Sequence, residues 1–366
     1  MKKIRVLIID DSAFMRKLIA DFLSEDSSLI VVGTARNGED GLIKIKELKP
    51  DVVTMDVEMP VLNGLETLKV LMSSQPMPVV MLSSTTKDGA ENTIAAMEYG
   101  AVDFIEKPSG SISLDLHKIK ADLIEKVVLA SKVNINHLGK SSSDGKNNTK
   151  VERNYSKIEL NESIVLSNGY ASSTGSQSKQ IVCIGTSTGG PRALQKVLTA
   201  IPGNIKAPVL IVQHMPPGFT KSLASRLNGL SDMTVKEAEE GDILENGTAY
   251  IAPGGFHLKA GRKGQDLILH LDESPPKNGH RPSVDVMFDS LSRLKEYRKI
   301  AVIMTGMGSD GREGLAAIKK NGEVKAIAES KETSIVFGMP RAAIEAGLID
   351  EIQNVERIAE SILKFV

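Results

Sequence analysis

The stretch IRVLII (residues 4–9) is followed by FMRKLIADFL (14–23), then by LIVVGTA (29–35) and EDGLIKIKEL (39–48). Short β-branched runs thus alternate with segments whose apolar residues recur at helical spacing. The alternation continues with three further strand-like runs, each followed by a helical pattern: DVVTMD (51–56), PVVMLS (78–83) and VDFIE (102–106). Because parallel strands need a crossover helix at each step, residues 1–131 predict an α/β domain with a doubly wound parallel sheet.

A second alternation starts at residue 180. Its strand-like runs are IVCIG (181–185), VLIVQ (209–213) and KIAVIMTG (299–306), and each precedes a helical pattern. Between them, AYIAPGGFHLKA (249–260) and DLILHLD (266–272) have the pattern of an antiparallel hairpin. We expect residues 180–366 to form a second doubly wound α/β domain with a parallel sheet and an antiparallel hairpin insertion.

Residues 132–179 differ in composition from both halves. SSSDGKNNTK (141–150) and SNGYASSTGSQSK (167–179) are dense in Ser, Asn, Gly and Lys and contain few residues that could nucleate a core. We expect a flexible linker here.

The overall composition excludes several classes of protein. The net charge is −1, with 45 basic and 46 acidic residues, and only 4% of residues are aromatic, so no nucleic-acid partner is indicated. The single cysteine, Cys183, excludes a disulfide framework and is expected in the core, as part of an apolar run. The sequence has neither a signal-peptide pattern nor an apolar stretch of membrane-spanning length. We expect a cytoplasmic protein without direct membrane insertion.

Five polar residues lie at the ends of predicted strands in the first domain: Asp10 and Asp11 just after the first strand, Asp56 at the end of the third, Ser83 at the end of the fourth and Lys107 at the end of the fifth. The carboxyl ends of strands in an open α/β sheet form one ligand crevice, so these residues should converge. A divalent ion such as Mg²⁺ relieves repulsion between carboxylates, and a lysine can hold a phosphate. Any one of these residues could instead be a helix cap or a solvated loop residue. Five polar residues at strand ends that share one crevice favour a binding site over these separate explanations.

Residues 3–125 resemble a response-regulator receiver domain, which has a flavodoxin-like fold. The resemblance rests on a few short motifs: the pair Asp10–Asp11, Asp56 in TMDVEMPVLNG, Ser83 in VVMLSS and Lys107-Pro108 in FIEKP. It implies that Asp56 is the phosphoacceptor and that Mg²⁺ is bound by Asp10, Asp11, Asp56 and the Glu58 carbonyl. Ser83 and Lys107 would contact the phosphoryl group, and Phe104 occupies the position of the family's aromatic switch.

The second domain begins with IGTSTGGP (184–191). Gly185 to Gly189 fits G-x-S-x-G, a sharp strand-to-helix turn that exposes Ser187 as a nucleophile. The free N–H groups of the following helix suit a developing oxyanion. Two alternatives stay open: a phosphate-binding turn, although the spacing matches neither G-x-G-x-x-G nor a P-loop, and a tight turn without function.

A serine nucleophile needs a base and an acid that orients the base. His214 directly follows the strand-like run VLIVQ, and Asp310 lies just past KIAVIMT, so both should share the sheet edge that carries Ser187. The other candidates are weaker: His257 in the hairpin insertion, His270 as a half-buried strand residue, His280 in a loop that could border the pocket, and Asp285 as a helix-start residue. Arg281 could bind a substrate carboxylate or form a structural ion pair.

Residues 181–363 resemble the catalytic domain of the protein-glutamate methylesterases of bacterial chemotaxis, through QHMPPGF, HRPSVDV, TGMGSDG and VFGMPR. The resemblance implies hydrolysis of glutamate methyl esters on methyl-accepting chemoreceptors, deamidation of receptor glutamines, a chemotaxis histidine kinase as phosphodonor, and no cofactor for the esterase chemistry. Ser187 would be the nucleophile, His214 the base and Asp310 the orienting acid. The backbone N–H groups of Met307 and Thr188 would be the oxyanion donors.

The hypothesis that follows is a phosphorylation-activated serine esterase, whose unphosphorylated receiver covers the sheet edge that carries Ser187. A non-enzymatic receptor adaptor, in which the glycine-rich turn binds an acidic peptide, is the main alternative. A DNA-binding output is less favoured, because the C-terminal helical pattern VERIAESILKFV (355–366) is balanced in charge.

Overall fold

The computed structural model describes residues 2–84, 86–107, 115–133 and 179–366. Most of the predicted linker, residues 134–178, lies outside the described residues, as does Pro108 of the lysine–proline pair. Two parallel sheets and one hairpin account for the strands that the structure describes.

The N-terminal sheet contains five parallel strands in the order β2-β1-β3-β4-β5. The elements are β1 (Ile4–Ile9), α1 (Ala13–Ser24), β2 (Leu29–Ala35), α2 (Gly38–Leu48), β3 (Val52–Asp56), α3 (Gly64–Ser74), β4 (Val79–Ser83), α4 (Lys87–Glu98), β5 (Asp103–Glu106) and α5 (Asp115–Ala130). Every residue of β3 and β4 is buried, as expected for central strands covered on both faces. The predicted doubly wound sheet is confirmed.

The C-terminal part contains a seven-stranded parallel sheet in the order β14-β13-β12-β6-β7-β9-β8 and a separate antiparallel pair, β10-β11. Its elements are β6 (Gln180–Thr186), α6 (Gly190–Leu198), β7 (Val209–Gln213), α7 (Phe219–Leu230), β8 (Thr234–Glu237), β9 (Thr248–Ile251), β10 (His257–Lys263), β11 (Asp266–Asp272), α8 (Val284–Ser292), β12 (Arg298–Ile303), α9 (Arg312–Asn321), β13 (Val324–Glu329), α10 (Met339–Glu345), β14 (Glu351–Gln353) and α11 (Val355–Phe365).

The hairpin is shorter than the sequence pattern indicated. The residues AYI at 249–251 do not join it. They lie in β9, which is fully buried and pairs in parallel with β7, with Ala249 opposite Val209. Only β10 and β11 form the antiparallel insertion. The extra parallel strand buries apolar side chains on both faces, which a solvent-exposed hairpin could not do.

The turn between β6 and α6 depends on Gly189, whose φ of +79° is in the left-handed region. A Cβ atom built there would lie 2.7 Å from Cβ of Ile335, so a side chain fits neither the backbone conformation nor the space. The turn therefore packs closely against Ile335 and against Thr305, which follows β12.

The two sheet domains contact each other through named side chains. The rings of Phe104 on β5 and Phe219 on α7 stack with centroids 4.5 Å apart. Arg226 on α7 donates two hydrogen bonds, of 2.8 and 2.7 Å, to the carboxylate of Glu98 on α4. Among the described residues, no helix has the length and apolar character needed to cross a bilayer.

Candidate active site

Ser187 lies immediately after β6 and is fixed through its backbone. Its N–H donates to the carbonyl of Thr305 at 3.0 Å, and its own carbonyl accepts from Gly190 at 2.8 Å. Gly306 packs directly on this turn, because a Cβ atom added at Gly306 would lie 2.8 Å from Cβ of Ser187. The ends of β6 and β12 thus bring the serine and the 305–306 segment together.

His214 lies beside Ser187 through strand register. Thr186 is opposite Gln213 in the β6–β7 pair, so the next residue of each strand, Ser187 and His214, follow neighbouring strand ends. The N–H of His214 donates to the Thr186 carbonyl at 3.2 Å, and the amide of Gln213 donates to the Ser187 carbonyl at 3.0 Å. The two predicted residues share one edge of the sheet.

Asp310 completes the group. Its Oδ2 atom lies 2.8 Å from Nε2 of His214, and the two side chains are only 2% and 6% exposed. The other ring nitrogen of His214, Nδ1, is buried and has no hydrogen-bond partner among the described residues. The carboxylate therefore holds one nitrogen, and the second is available to accept a proton. In the Ser-His-Asp arrangement of serine proteases the two ring nitrogens have the opposite assignment.

The N-terminus of α8 surrounds Asp310 with donors. Val284 N–H donates to Oδ2 at 2.7 Å, and the Ser283 hydroxyl and Asp285 N–H donate to Oδ1 at 2.8 and 3.1 Å. Burial alone would raise the pKa of Asp310, but His214 and these donors outweigh it and hold the pKa well below its usual range. Asp310 is therefore ionised and can stabilise a protonated His214.

The predicted oxyanion donors are also near the serine. Thr188 follows Ser187, and Met307 follows Gly306, which touches Ser187. Neither N–H donates a hydrogen bond to another described residue. The hydroxyl of Thr188 donates to Asp103 of β5.

The other histidines have different environments. His257 is buried and accepts from Ser283 N–H at Nδ1 (3.1 Å), while its Nε2 donates to the Pro275 carbonyl at 3.2 Å, so both nitrogens have structural partners. His270 lies on β11 with its side chain 46% exposed, as expected for a half-buried strand residue, and pairs with Glu240. His280 stacks on His214, so its loop borders the site, as the sequence allowed; the stacking itself was not predicted.

Three further expectations concern single residues. Asp285 lies in the first turn of α8, as predicted for a helix-start residue. Arg281 donates hydrogen bonds to the backbone carbonyls of Glu273 and Ser274, at 2.5 and 3.1 Å. Its guanidinium therefore has a structural role in this loop. Cys183 is fully buried, and burial raises the pKa of its thiol, which confirms it as a core residue.

The receiver site is assembled at the ends of β1, β3 and β5. One carboxylate oxygen from each of Asp10, Asp11 and Asp56 lies within 4.8 Å of the others, a donor set that fits a hard divalent cation. Lys107 Nζ lies 2.6 Å from Asp56 and 3.0 Å from Asp10. Burial raises the pKa of Asp56 to about 6, against the opposing effect of Lys107.

The sequence predicted three other residues for the receiver site: Glu58, Ser83 and Phe104. The N–H of Glu58 donates to Asp56 Oδ1 at 3.2 Å, so the loop after β3 turns back on Asp56. The Ser83 hydroxyl is buried and is engaged by α4: it donates to the Gly89 carbonyl at 3.2 Å. Phe104 is buried against Phe219 of the C-terminal domain.

Comparison with known proteins places both halves in known families. The response regulator receiver domain matches residues 6–117, and the CheB methylesterase family matches residues 182–362. A protein-glutamate methylesterase/protein-glutamine glutaminase of Geobacillus kaustophilus is 56% identical over 366 residues, which cover 100% of this chain and 99% of that protein. The chain belongs to this methylesterase/glutaminase family.

Other members support the assignment. The protein-glutamate methylesterase/protein-glutamine glutaminase of Halalkalibacterium halodurans is 54% identical and covers 99% of this chain and 98% of its own length. The crystal structure of the Thermotoga maritima CheB methylesterase catalytic domain matches 52% of this chain and 100% of its own, with 46% identity and a TM-score of 0.50. The predicted receiver and methylesterase folds, and the enzyme class, are confirmed at the level of the family.

Proposed function

We propose that this methylesterase hydrolyses glutamate γ-methyl esters on methyl-accepting chemoreceptors, deamidates receptor glutamines, and is activated when Asp56 is phosphorylated. The observation that carries the proposal is the state of His214. Asp310 binds one nitrogen of its ring at 2.8 Å, and the other nitrogen is buried without a described partner at the strand end next to Ser187.

The geometry supports a mechanism in two steps. The Ser187 hydroxyl attacks the ester carbonyl while Nδ1 of His214 takes its proton, and Asp310 stabilises the imidazolium. The N–H groups of Thr188 and Met307 stabilise the oxyanion. The proton then passes from His214 to the departing methoxide, which leaves as methanol. Water, deprotonated by His214, hydrolyses the acyl-enzyme and restores Ser187.

The receiver supplies the regulation. Mg²⁺ held by Asp10, Asp11, Asp56 and the Glu58 carbonyl would neutralise the charge that gathers during phosphoryl transfer. Lys107, 2.6 Å from Asp56, would contact the phosphoryl group, together with Ser83 once its hydroxyl turns from α4. A chemotaxis histidine kinase in the cytoplasm would be the phosphodonor.

The contacts between the domains support the hypothesis that the unphosphorylated receiver covers the sheet edge that carries Ser187. Asp103 and Phe104 of β5 contact Thr188 and Phe219 respectively, so the unphosphorylated receiver packs on the turn that carries the nucleophile. The proposed boundaries are residues 1–131 for the receiver, 132–179 for the linker and 180–366 for the catalytic domain. Phosphorylation would favour an arrangement in which these contacts are released.

The decisive experiment measures methanol release from a methylated chemoreceptor by the wild type, Ser187→Ala and Asp310→Asn. Both variants should lose on the order of 10³-fold or more in kcat, because the nucleophile and the group that orients the base act as a unit. Receptor binding should be retained. Wild-type turnover in Ser187→Ala would eliminate the proposed nucleophile. Deletion of residues 1–150 should raise turnover if the receiver is a cover.

A further inference from the structure

A two-residue turn outside the predicted site presents two side chains to His214 and Asp310. Lys277 and His280 exchange backbone hydrogen bonds of 3.1 and 3.0 Å. Between them, Asn278 and Gly279 have φ angles of +54° and +81°. Asn-Gly is the pair that tolerates two successive left-handed residues, as a type I′ turn requires. The Lys277 ammonium lies 3.1 Å from Glu313 of α9, which attaches the turn to the helix after Asp310.

The Asn278 amide bridges two buried carboxylates. Its Nδ2 donates to Asp310 Oδ1 at 3.1 Å and to Asp285 Oδ2 at 2.8 Å. Asp285 is in turn fixed by the Gly314 N–H, 2.7 Å from Oδ1. Both carboxylates are almost inaccessible to water, with exposures of 0% and 2%. A neutral donor between them satisfies both without adding charge, and it keeps the Asp310 carboxylate turned so that Oδ2 faces His214.

His280 fixes the same pair from another direction. Its ring stacks on the His214 ring with a centroid separation of 3.8 Å and an interplanar angle of 13°. A hydrogen bond from Nε2 to Asp310 holds one point of the His214 ring but permits rotation about that contact. A flat ring stacked on its face fixes the plane, and the plane decides where the free Nδ1 points.

We propose that the 277–280 turn is a positioning element for the esterase chemistry, in which Asn278 orients the Asp310 carboxylate and His280 holds the plane of the His214 ring. The inference rests on the proposed triad. Asn278 and His280 act through Asp310 and His214 and are positioning residues. Small misplacement of a base costs about 100-fold in rate, so a loose turn would lower kcat with little effect on substrate binding.

The test of Asn278 uses Asn278→Gly in the full-length protein. Glycine keeps the positive φ of the turn and removes only the amide. We expect kcat for methanol release from a methylated chemoreceptor to fall about 10- to 100-fold, with KM within about twofold of the wild type. In Asn278→Asp, kcat should fall further, because this variant places a third carboxylate beside Asp285 and Asp310. Thermal unfolding of both variants checks that the catalytic domain remains folded.

The test of His280 compares His280→Ala with His280→Phe. Loss of the stacked ring should lower kcat about 10-fold or more with KM unchanged, and phenylalanine should restore most of the loss, because it keeps a flat ring. His270→Ala is the matched control, since His270 is a half-exposed histidine that pairs with Glu240 on the hairpin. It should keep wild-type kcat.

The outcomes separate this inference from the proposed function. If Ser187→Ala is inactive while Asn278→Gly and His280→Ala keep wild-type kcat, the turn is not a positioning element and the triad stands. If Ser187→Ala retains wild-type turnover, the triad itself is wrong. A His280→Phe variant as slow as His280→Ala would overturn the stacking role. A variant in which KM rises while kcat stays at the wild-type value would overturn the positioning role of that residue.

Discussion

Thr188, the residue after the proposed nucleophile, donates a hydrogen bond from its hydroxyl to the carboxylate of Asp103 in the receiver domain. Both side chains are largely buried, with exposures of 7% and 9%. Asp103 also accepts from the N–H of Phe104, so it connects the turn that carries Ser187 to the residue predicted to be the receiver's aromatic switch. The regulatory and catalytic domains are thus joined one residue from the proposed chemistry.

Removing either partner of this hydrogen bond should destabilise the arrangement in which the receiver packs on the catalytic domain. We expect Thr188→Val, which removes the hydroxyl, and Asp103→Ala each to raise methanol release by the unphosphorylated protein about tenfold, the effect of a hydrogen bond to a charged group. The double variant should exceed the larger single effect only slightly, because both changes remove one contact. Unchanged unphosphorylated turnover in both single variants would show that the bond does not hold the domains together.

The Arg226–Glu98 pair gives a second test at the rim of the same interface. Arg226→Glu places two carboxylates together, and we expect unphosphorylated turnover to rise about 2- to 10-fold, since exposed pairs contribute at most about 1 kcal/mol and charge reversal adds repulsion. The exchange of both residues, Glu98→Arg with Arg226→Glu, should restore the wild-type rate. Arg293→Glu, which reverses the exposed pair between Arg293 and Asp289 at the C-terminal end of α8, is the control and should leave turnover unchanged. Failure of the exchange to restore the rate would contradict the pairing.

Much of the fold and of the candidate site was predictable because parallel strands buried on both faces appear as continuous apolar runs. Every residue of β7 is buried, and the residue that follows it, His214, could be assigned to a sheet edge from the sequence alone. Asp310 was predicted by the same rule, because it lies in the loop between β12 and α9. The short edge strands β8 and β14 carry too few buried residues to give such a pattern.

Asn278 and His280 could not be found in this way. Their contribution depends on a type I′ turn that folds back on Asp310, and loop residues have no periodicity from which contacts can be predicted. The Asn-Gly pair was the available signal, since it predicts a tight turn between flanking residues. It does not indicate which residues the turn will contact. The sequence likewise could not predict which of the two ring nitrogens of His214 binds Asp310.

Asp56 should make stability depend on pH. Its pKa is raised from 3.8 to about 6, chiefly by burial, so the folded receiver binds this proton more tightly than the unfolded chain does. The contribution to the free energy of unfolding is therefore complete below about pH 4 and is lost as the pH rises through about 6. We expect Asp56→Asn to stabilise the receiver by about 2–3 kcal/mol at about pH 7.5 and hardly at all at about pH 4, measured by urea unfolding. Equal differences at both pH values would contradict the raised pKa.

Glu329 in the catalytic domain should also make a contribution to the free energy of unfolding that is lost as the pH rises. It is 1% exposed and accepts hydrogen bonds from Thr305 N–H and the Thr333 hydroxyl, at 2.8 and 2.9 Å. Burial raises its pKa from 4.5 to about 7, so its contribution to the free energy of unfolding is lost as the pH rises from about 4.5 through about 7. Glu329→Gln does not ionise: its Oε1 can still accept from the Thr305 N–H, and its Nε2 can donate to the Thr333 hydroxyl oxygen, which reverses the direction of that bond. Relative to the wild type, its stability should increase by about 2–3 kcal/mol between about pH 5 and pH 8.

The control for Glu329 is Glu351→Gln on β14. Hydrogen bonds from Ser361, then from Gln353 and Lys325, lower the pKa of Glu351 to about 2, so this group stays ionised in both folded and unfolded chains at neutral pH. Its stabilising contribution is present above about pH 4.5 and is lost only as the pH falls through about 2, so the Glu351→Gln difference should be constant between about pH 5 and pH 8. Denaturant unfolding of the catalytic domain across this range measures both variants. Parallel pH profiles for Glu329→Gln and the wild type would show that Glu329 is ionised throughout the range.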